Sequence, residues 1–324
     1  MAAPLPPRSD LASSGGPFGG FSEADFRAYE EKKWTSNKFT IERRGAKDKV
    51  VALVRAVHAE LADPLAGLEL HASDPEPNVR NERRVEAQLA YFVRGEQDQQ
   101  AIRSLVNTTQ LSAPGALFDI ALHHQHACVL VRLDLEGLRL GVLVAPRAKV
   151  DRDNVVEKLK QAWARERVVE LASTLPEGAR LSFGGEHVES AALGVADVER
   201  LAAALLAGAD MQLSVLVPRA TPGLAGPDAI GLVARTLAPF VPVYRFLAWS
   251  RDNEHAHVKE TIKKTTEARA KQAIPFKQGD RITILAGLFT GRQGYLEEID
   301  AKGRAKVMVG PISVTVEVKD LAGA

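Results

Sequence analysis

Between residues 276 and 321, glycines fall at short intervals among stretches that alternate apolar and polar side chains, and this pattern leaves few folds open. Phe276 is followed by Gly279-Asp280-Arg281 and then by Gly287-Leu288-Phe289-Thr290-Gly291-Arg292-Gln293-Gly294. Glycine takes positive φ at no steric cost, so each marks a place where a strand turns or bulges. Arg281-Ile282-Thr283-Ile284 and Ala305-Lys306-Val307-Met308-Val309 alternate with period two, as half-buried strands do. Gly310-Pro311 breaks the second run, and Ile312-Ser313-Val314-Thr315-Val316-Glu317-Val318 resumes it. Short strands joined by tight turns predict a small all-β unit.

These residues resemble a KOW motif, the SH3-like barrel that ends the NusG family of transcription elongation factors and recurs in ribosomal proteins. The resemblance spans residues 276 to 321. It implies a five-stranded barrel with structural glycines at Gly279, Gly287, Gly291 and Gly294, and binding to RNA, the ribosome or RNA polymerase. The contact surface it implies is the loop from Ala286 to Gly294, where Leu288, Phe289, Thr290 and Arg292 sit between glycines. Phe289 either offers an aromatic face to a base or apolar pocket, or folds inward to plug the barrel. Arg292 would donate to phosphate or carboxylate. The same barrel can also serve as a peptide-binding or packing module, since fold does not fix function.

Charge limits the nucleic-acid reading. This segment holds seven Lys/Arg against six Asp/Glu, a net of +1, whereas affinity drawn from phosphates needs a basic stripe. Lys302, Arg304 and Lys306 recur at strand spacing and would share one face, as a local basic patch or as an ordinary solvated strand face. The whole chain, 324 residues with a formal net charge of +1, shows no global pull toward nucleic acid or a membrane surface.

A hydrophobic content of 45% supports a sizeable core, and the length suits a larger domain beside the small one. Cys128 is the only cysteine, which excludes an intrachain disulfide and favours a reducing compartment. With no signal-peptide pattern and no apolar run of about 18 residues, a cytoplasmic protein without a membrane partner is expected.

Residues 1–20, rich in Pro, Ser, Gly and Ala, read as a disordered tail. Residues 21–250 read as one α+β domain. Ser22 caps a short helix to Tyr29, with Asp25 completing a capping box. A helix over 46–61 carries the stripe Val50, Leu53, Val54, Val57, Leu61. Strands are expected at 68–71 and 88–94, and a helix at 97–106. A hairpin turning at Glu136-Gly137 sets Leu135 opposite Leu138, Leu133 opposite Leu140, Val131 opposite Val142 and Val129 opposite Val144, with Asp134 facing Arg139. Asp153 or Asn154 caps a long helix to about Leu171 that buries Val155, Leu159, Ala162 and Trp163. A strand at 180–183, a helix at 195–207, a strand at 211–218 and a helix over 228–249 broken near Pro239 and Pro242 follow. Residues 251–275, polar and of mixed charge, read as a linker.

Phe21-x-x-x-Asp25-Phe26, Trp34-x-x-Asn37-Lys38 and the helix after them are similar to the opening of an uncharacterised bacterial α+β family, over about residues 21–172. The arginine- and aspartate-rich motif of that family is replaced by residues 78–84. The likeness implies a fold and no activity.

The cluster His123-His124-Gln125-His126-Ala127-Cys128 has metal-ligand types close together, and on a strand His124, His126 and Cys128 would share a face. Neighbours on one strand do not close a tetrahedral site by themselves, and no second cluster supplies the missing ligand. No metal or other cofactor is therefore expected. His255 and His257 read as solvated. Residues 182–187 (Ser-Phe-Gly-Gly-Glu-His) lack a phosphate-loop pattern, and there is no Gly-x-Ser-x-Gly elbow. Trp34, Trp163 and Trp249 are assigned to the core. The sequence points to a non-enzymatic protein whose barrel docks onto RNA, ribosome or transcription machinery, with the larger domain as a partner-binding or regulatory module and no small-molecule substrate. The alternative is an enzyme in the larger domain that uses the barrel for recruitment or protein interaction, marked by a pocket with convergent titratable groups.

Overall fold

A computed structural model describes residues 16–102, 121–255, 276–286, 289–300 and 304–323. The chain is α+β and divides into two compact units, residues 1–258 and 259–324.

The first unit is built on a seven-stranded antiparallel sheet. Its strands are β1 (Leu68–Ala72), β2 (Gln88–Arg94), β3 (Cys128–Leu133), β4 (Gly137–Val144), β5 (Arg180–Phe183), β6 (Glu186–Glu189) and β7 (Met211–Pro218), in the order β1-β2-β3-β4-β7-β5-β6. One face is apolar throughout: Phe92, Val129, Val131, Leu133, Leu138 and Leu140 are fully buried there. Helices cover it. After a short α1 (Glu23–Arg27), α2 (Thr40–Glu60) lays Val50, Leu53, Val54 and Val57 against β2. Beyond α3 (Leu122–Gln125), α4 (Lys149–Leu159), α5 (Ala162–Ser173) and α6 (Val195–Leu206) pack together. Finally α7 (Ala229–Leu237) and α8 (Phe240–Leu247) lie on β3 and β4. The break between these two falls at Ala238-Pro239, while Pro242 sits in the first turn of α8, where no backbone N–H is needed. Among the described residues no single helix is long and apolar enough to cross a membrane.

Local chemistry sets the ends. The Asp25 carboxylate accepts from the Ser22 N–H at 2.6 Å and its Oγ at 2.8 Å, which closes α1 as its sequence predicts. Arg43 is fully buried inside α2. Its guanidinium donates to the carbonyls of Pro75, Lys33 and Ser36 (2.7–2.9 Å), so one side chain ties three loop carbonyls together. Residues 184–185, both glycines with φ of 55° and 86°, form the two-residue turn between β5 and β6.

Several expectations are corrected. The tail does not extend to residue 20: Phe18 is buried and meets Phe21 edge-on at 5.1 Å, and the Phe21 N–H donates to the Leu224 carbonyl at 2.8 Å. Residues 1–15 lie outside the described residues. The β3–β4 register is shifted by two, so Leu133 faces Leu138, Val131 faces Leu140 and Val129 faces Val142. Here the Asp134 carboxylate takes the Glu136 N–H at 2.9 Å and the Arg132 guanidinium at 3.1 Å instead of facing Arg139, which pairs with Glu136. A two-residue slip keeps the strand side chains on their faces, so Val129, Val131, Leu133, Leu138, Leu140 and Val142 stay buried, while Leu135 falls in the turn and is exposed.

The long helix from 153 to 171 is two helices. Asp153 and Asn154 lie within α4 rather than capping it, and Gln161 is extended (ψ 134°) between α4 and α5. The break shifts the inward phase: Ala164, Val168, Leu171 and Ala172 point to the core, and Trp163 turns out to 52% exposure. The assigned core position of Trp163 is thus wrong, whereas Trp249 is buried. Trp34 is half-buried, donates to the Tyr29 carbonyl at 2.7 Å and lies under the Arg84 guanidinium.

Residues 251–255 are not linker, because α4 holds them. Asp151, Asn154 and Lys158 lie along one face of α4 and are all buried. Asp151 accepts from the Trp249 N–H and the Ala127 N–H, each at 2.8 Å, and from Arg94, whose other terminal nitrogen reaches the Trp249 carbonyl at 2.7 Å. Asn154 bonds the Asn253 carbonyl (2.9 Å) and the His255 N–H (2.7 Å). Lys158 donates to the Phe246 carbonyl and the Asn253 side chain, and Asn253 in turn caps the last carbonyls of α8. Residues 256–275, with His257, lie outside the described residues, as does the part of the expected 97–106 helix beyond residue 102; residues 96–102 are helical.

The second unit has β8 (Arg281–Ile284), β9 (Gln293–Ile299), β10 (Arg304–Val309), β11 (Ile312–Glu317) and β12 (Leu321–Gly323). They form one antiparallel sheet in the order β11-β10-β9-β8-β12, open at its two edges. Ile282, Ile284, Leu296, Ala305, Val307 and Leu321 are its buried core.

Candidate functional site

The Gly-Asp pair of the motif builds the second unit rather than its surface chemistry. Gly279 has φ of 90° and donates to the Leu296 carbonyl at 2.7 Å, while the Asp280 carboxylate takes the Lys277 N–H at 2.7 Å. Gly291, at φ 79°, donates to the Ile284 carbonyl at 2.7 Å and so closes the loop between β8 and β9. Gly294 is required by contact: a Cβ there would stand 2.5 Å from the Met308 carbonyl oxygen. Gly287 and Leu288 lie outside the described residues, as does Lys302.

Of the loop residues, Phe289 is half-buried and packs against the small core, so its ring helps seal the unit. Thr290 and Arg292 are exposed, and Arg292 has no ion-pair partner among the described residues. Arg304 and Lys306 do share the exposed face of β10, alternating with buried Ala305 and Val307. Each is already balanced: Arg304 meets Asp300 at 2.7 Å, and Lys306 lies 3.7 Å from Glu297, which also takes the Ser313 hydroxyl. They form part of a charge-balanced strand face.

The outward face holds a feature that the motif did not indicate. Arg281 on β8 is the partner of Tyr295 on β9, Tyr295 of Met308 on β10, and Met308 of Ser313 on β11. Opposed side chains on neighbouring strands lie about 5 Å apart, so these four make one continuous row. Tyr295 is 58% exposed and Met308 42%. Arg281 donates to Gln293 at 2.8 Å, which steadies its guanidinium at the β8 end of the row. The row thus presents an aromatic ring and a thioether beside one guanidinium group. Tyr295 went unnamed in the sequence, but parity would have found it, since Gly294 and Leu296 face inward.

In the first unit the metal-type cluster does not assemble. His124 lies on α3, where the His126 N–H closes a helical turn on the Leu122 carbonyl at 2.9 Å, so the strand alternation predicted for His124, His126 and Cys128 does not exist. Cys128 is fully buried, and burial raises its thiol well above the usual range, against the thiolate that a metal needs. Burial, with His124 beside it, lowers His123 to about 3, so its ring is neutral. Among the described residues no three His, Cys, Asp or Glu side chains come together as a metal site. Ser182 Oγ and His187 Nδ1 meet at 2.9 Å on the β5–β6 hairpin, without a third group on the ring among the described residues. An open groove of about 480 Å³ is lined by Trp163, Glu166, Arg167, Glu170 and Phe246.

Compared with known proteins, the chain matches no protein-family model and no curated protein.

Proposed function

We propose that the second unit is a KOW-type, SH3-like barrel that docks the chain onto RNA-containing machinery, the ribosome or a transcribing polymerase, through the row Arg281, Tyr295 and Met308, with exposed Arg292 of the β8–β9 loop as a further donor. The observation that carries this reading is the exposed cross-strand row itself. A large aromatic and a thioether held in water on a rigid sheet expose apolar surface that a partner would cover, and aromatic residues and Arg dominate such contacts. The return of β12 to β8 beside a four-strand meander supports the barrel reading, because it leaves only β11 and β12 to be joined for closure. Glycines at 279, 291 and 294, each with a backbone reason to be there, support it as well.

The balanced charges at Arg304 and Lys306 restrict how the unit docks. With only two guanidinium groups, Arg281 and Arg292, lacking an ion-pair partner among the described residues, the contact draws on stacking and apolar burial more than on phosphate neutralisation. The logarithm of affinity for a single-stranded RNA should therefore fall with the logarithm of salt with a slope of about −1.4, set by two phosphate contacts. Co-sedimentation of the intact chain with ribosomes or polymerase, with and without ribonuclease, tests the reading. Loss of association in Tyr295→Ala supports it. Association that persists in both Tyr295→Ala and Arg281→Ala sinks it, and ribonuclease sensitivity separates an RNA contact from a protein one.

A further inference from the structure

The groove on α5 belongs to the first unit, and its lining carries more carboxylates than guanidinium groups. Trp163, Glu166, Arg167 and Glu170 stand at i, i+3, i+4 and i+7 on the solvent side of α5, opposite buried Ala164, Val168 and Leu171. Phe246 of α8 meets the indole edge-on, with centroids 6.2 Å apart and an interplanar angle of 88°, and the His255 ring lies 6.1 Å away. Both hold the indole in place without covering it. The Lys158 ammonium sits 4.3 Å from the centre of the Phe246 ring, so that ring already has its cation, while Trp163 has none among the described residues.

Indole is the side chain best suited to holding a cation over its face, and arginine is the cation most often found there. Glu166, one turn along the helix, is exposed and has no ion-pair partner among the described residues. Glu170 pairs with Arg167 at 2.6 Å, and both ends of that pair are about half exposed, so it is readily exchanged. The exposed lining offers two carboxylates against one guanidinium, while the nearby Lys158 ammonium is buried and already bonded to the Phe246 carbonyl and Asn253, so the acceptors within reach of a ligand suit a cation.

We infer that this groove receives an arginine side chain from a basic segment of a protein partner, its guanidinium lying over Trp163 and hydrogen-bonded to Glu166. The groove is open, so it suits a side chain presented by a larger partner rather than an enclosed small molecule.

Calorimetric titration of the intact chain with a glycine-spaced arginine peptide, and with the same peptide carrying neutral citrulline, tests this. The arginine peptide should bind at least about tenfold more tightly than the citrulline peptide. Trp163→Ala should remove that difference, Trp163→Phe should keep part of it, and Glu166→Gln should weaken the arginine peptide without affecting the citrulline one. Unchanged circular dichroism in the variants guards against misfolding, and Trp163→Phe serves if Trp163→Ala fails to fold. Equal affinity for the two peptides, no measurable binding, or loss of RNA binding in Trp163→Ala would each overturn the inference.

Discussion

The two units place their charges in opposite ways. In the first, Arg43, Arg94, Asp151 and Lys158 are buried and bonded, and they tie together segments far apart in the chain. In the second, every described charged side chain stands outside six buried apolar residues. A buried ion contributes to specificity only while its partners remain, because removing one leaves an uncompensated charge in a medium of low dielectric. A small apolar core gives no such locking, but it frees a whole sheet face for contact. The first unit is therefore sensitive at its polar interior, and the second at its thin core and its exposed row.

Asp151→Ala should have the largest effect. It removes the acceptor of Arg94, Ala127 and Trp249 at once, and chemical denaturation should show the first unit losing about 3–5 kcal/mol. The transition of the second unit should not move, and a shift in both would erase the distinction. Ile282→Ala sharpens the other side, since a core of six residues has few neighbours able to fill a cavity. The second unit should lose about 2–5 kcal/mol, with the first unchanged. Gly294→Ala should follow at about 1–3 kcal/mol, because its methyl group must push the β10 carbonyl away.

A pH titration probes the buried ammonium. Burial lowers Lys158 to about 8 from its ordinary 10.5. Between those values the unfolded chain holds the proton and the folded chain does not, so the stability of the first unit should rise with pH from about 8 toward 10.5. Lys158→Met should flatten that rise, and a rise that persists in the variant would assign it to another group.

The ease of reading each region followed from how local its causes are. The second unit repeats a period of two around glycines, so β8, β10 and β11 were visible, whereas β9 and its outward Tyr295 were not read, although parity with inward Gly294 and Leu296 would have found them. In the first unit, Met211–Pro218 and Gln88–Arg94 were readable from dense apolar runs. The β3–β4 register was not, because the side chain of Asp134 bonds within the turn and shifts pairing by two without changing a face. Nor was the α4 stripe: Asp151, Asn154 and Lys158 look like the exposed side of a helix until their partners, about a hundred residues later, return to them. The same hidden contacts anchor residues 251–255, which by composition alone resemble linker. Trp163 was misplaced because one extended residue, Gln161, changes the phase of everything after it.

The smallest effect on stability should accompany the largest effect on binding. Tyr295 is mostly in water, so Tyr295→Ala should change the stability of the second unit by no more than about 0.5 kcal/mol. Measuring that melting transition together with co-sedimentation on ribosomes and polymerase tests the docking face most directly. The face described here predicts lost association with an unmoved transition. Full association by a normally folded Tyr295→Ala chain would contradict it.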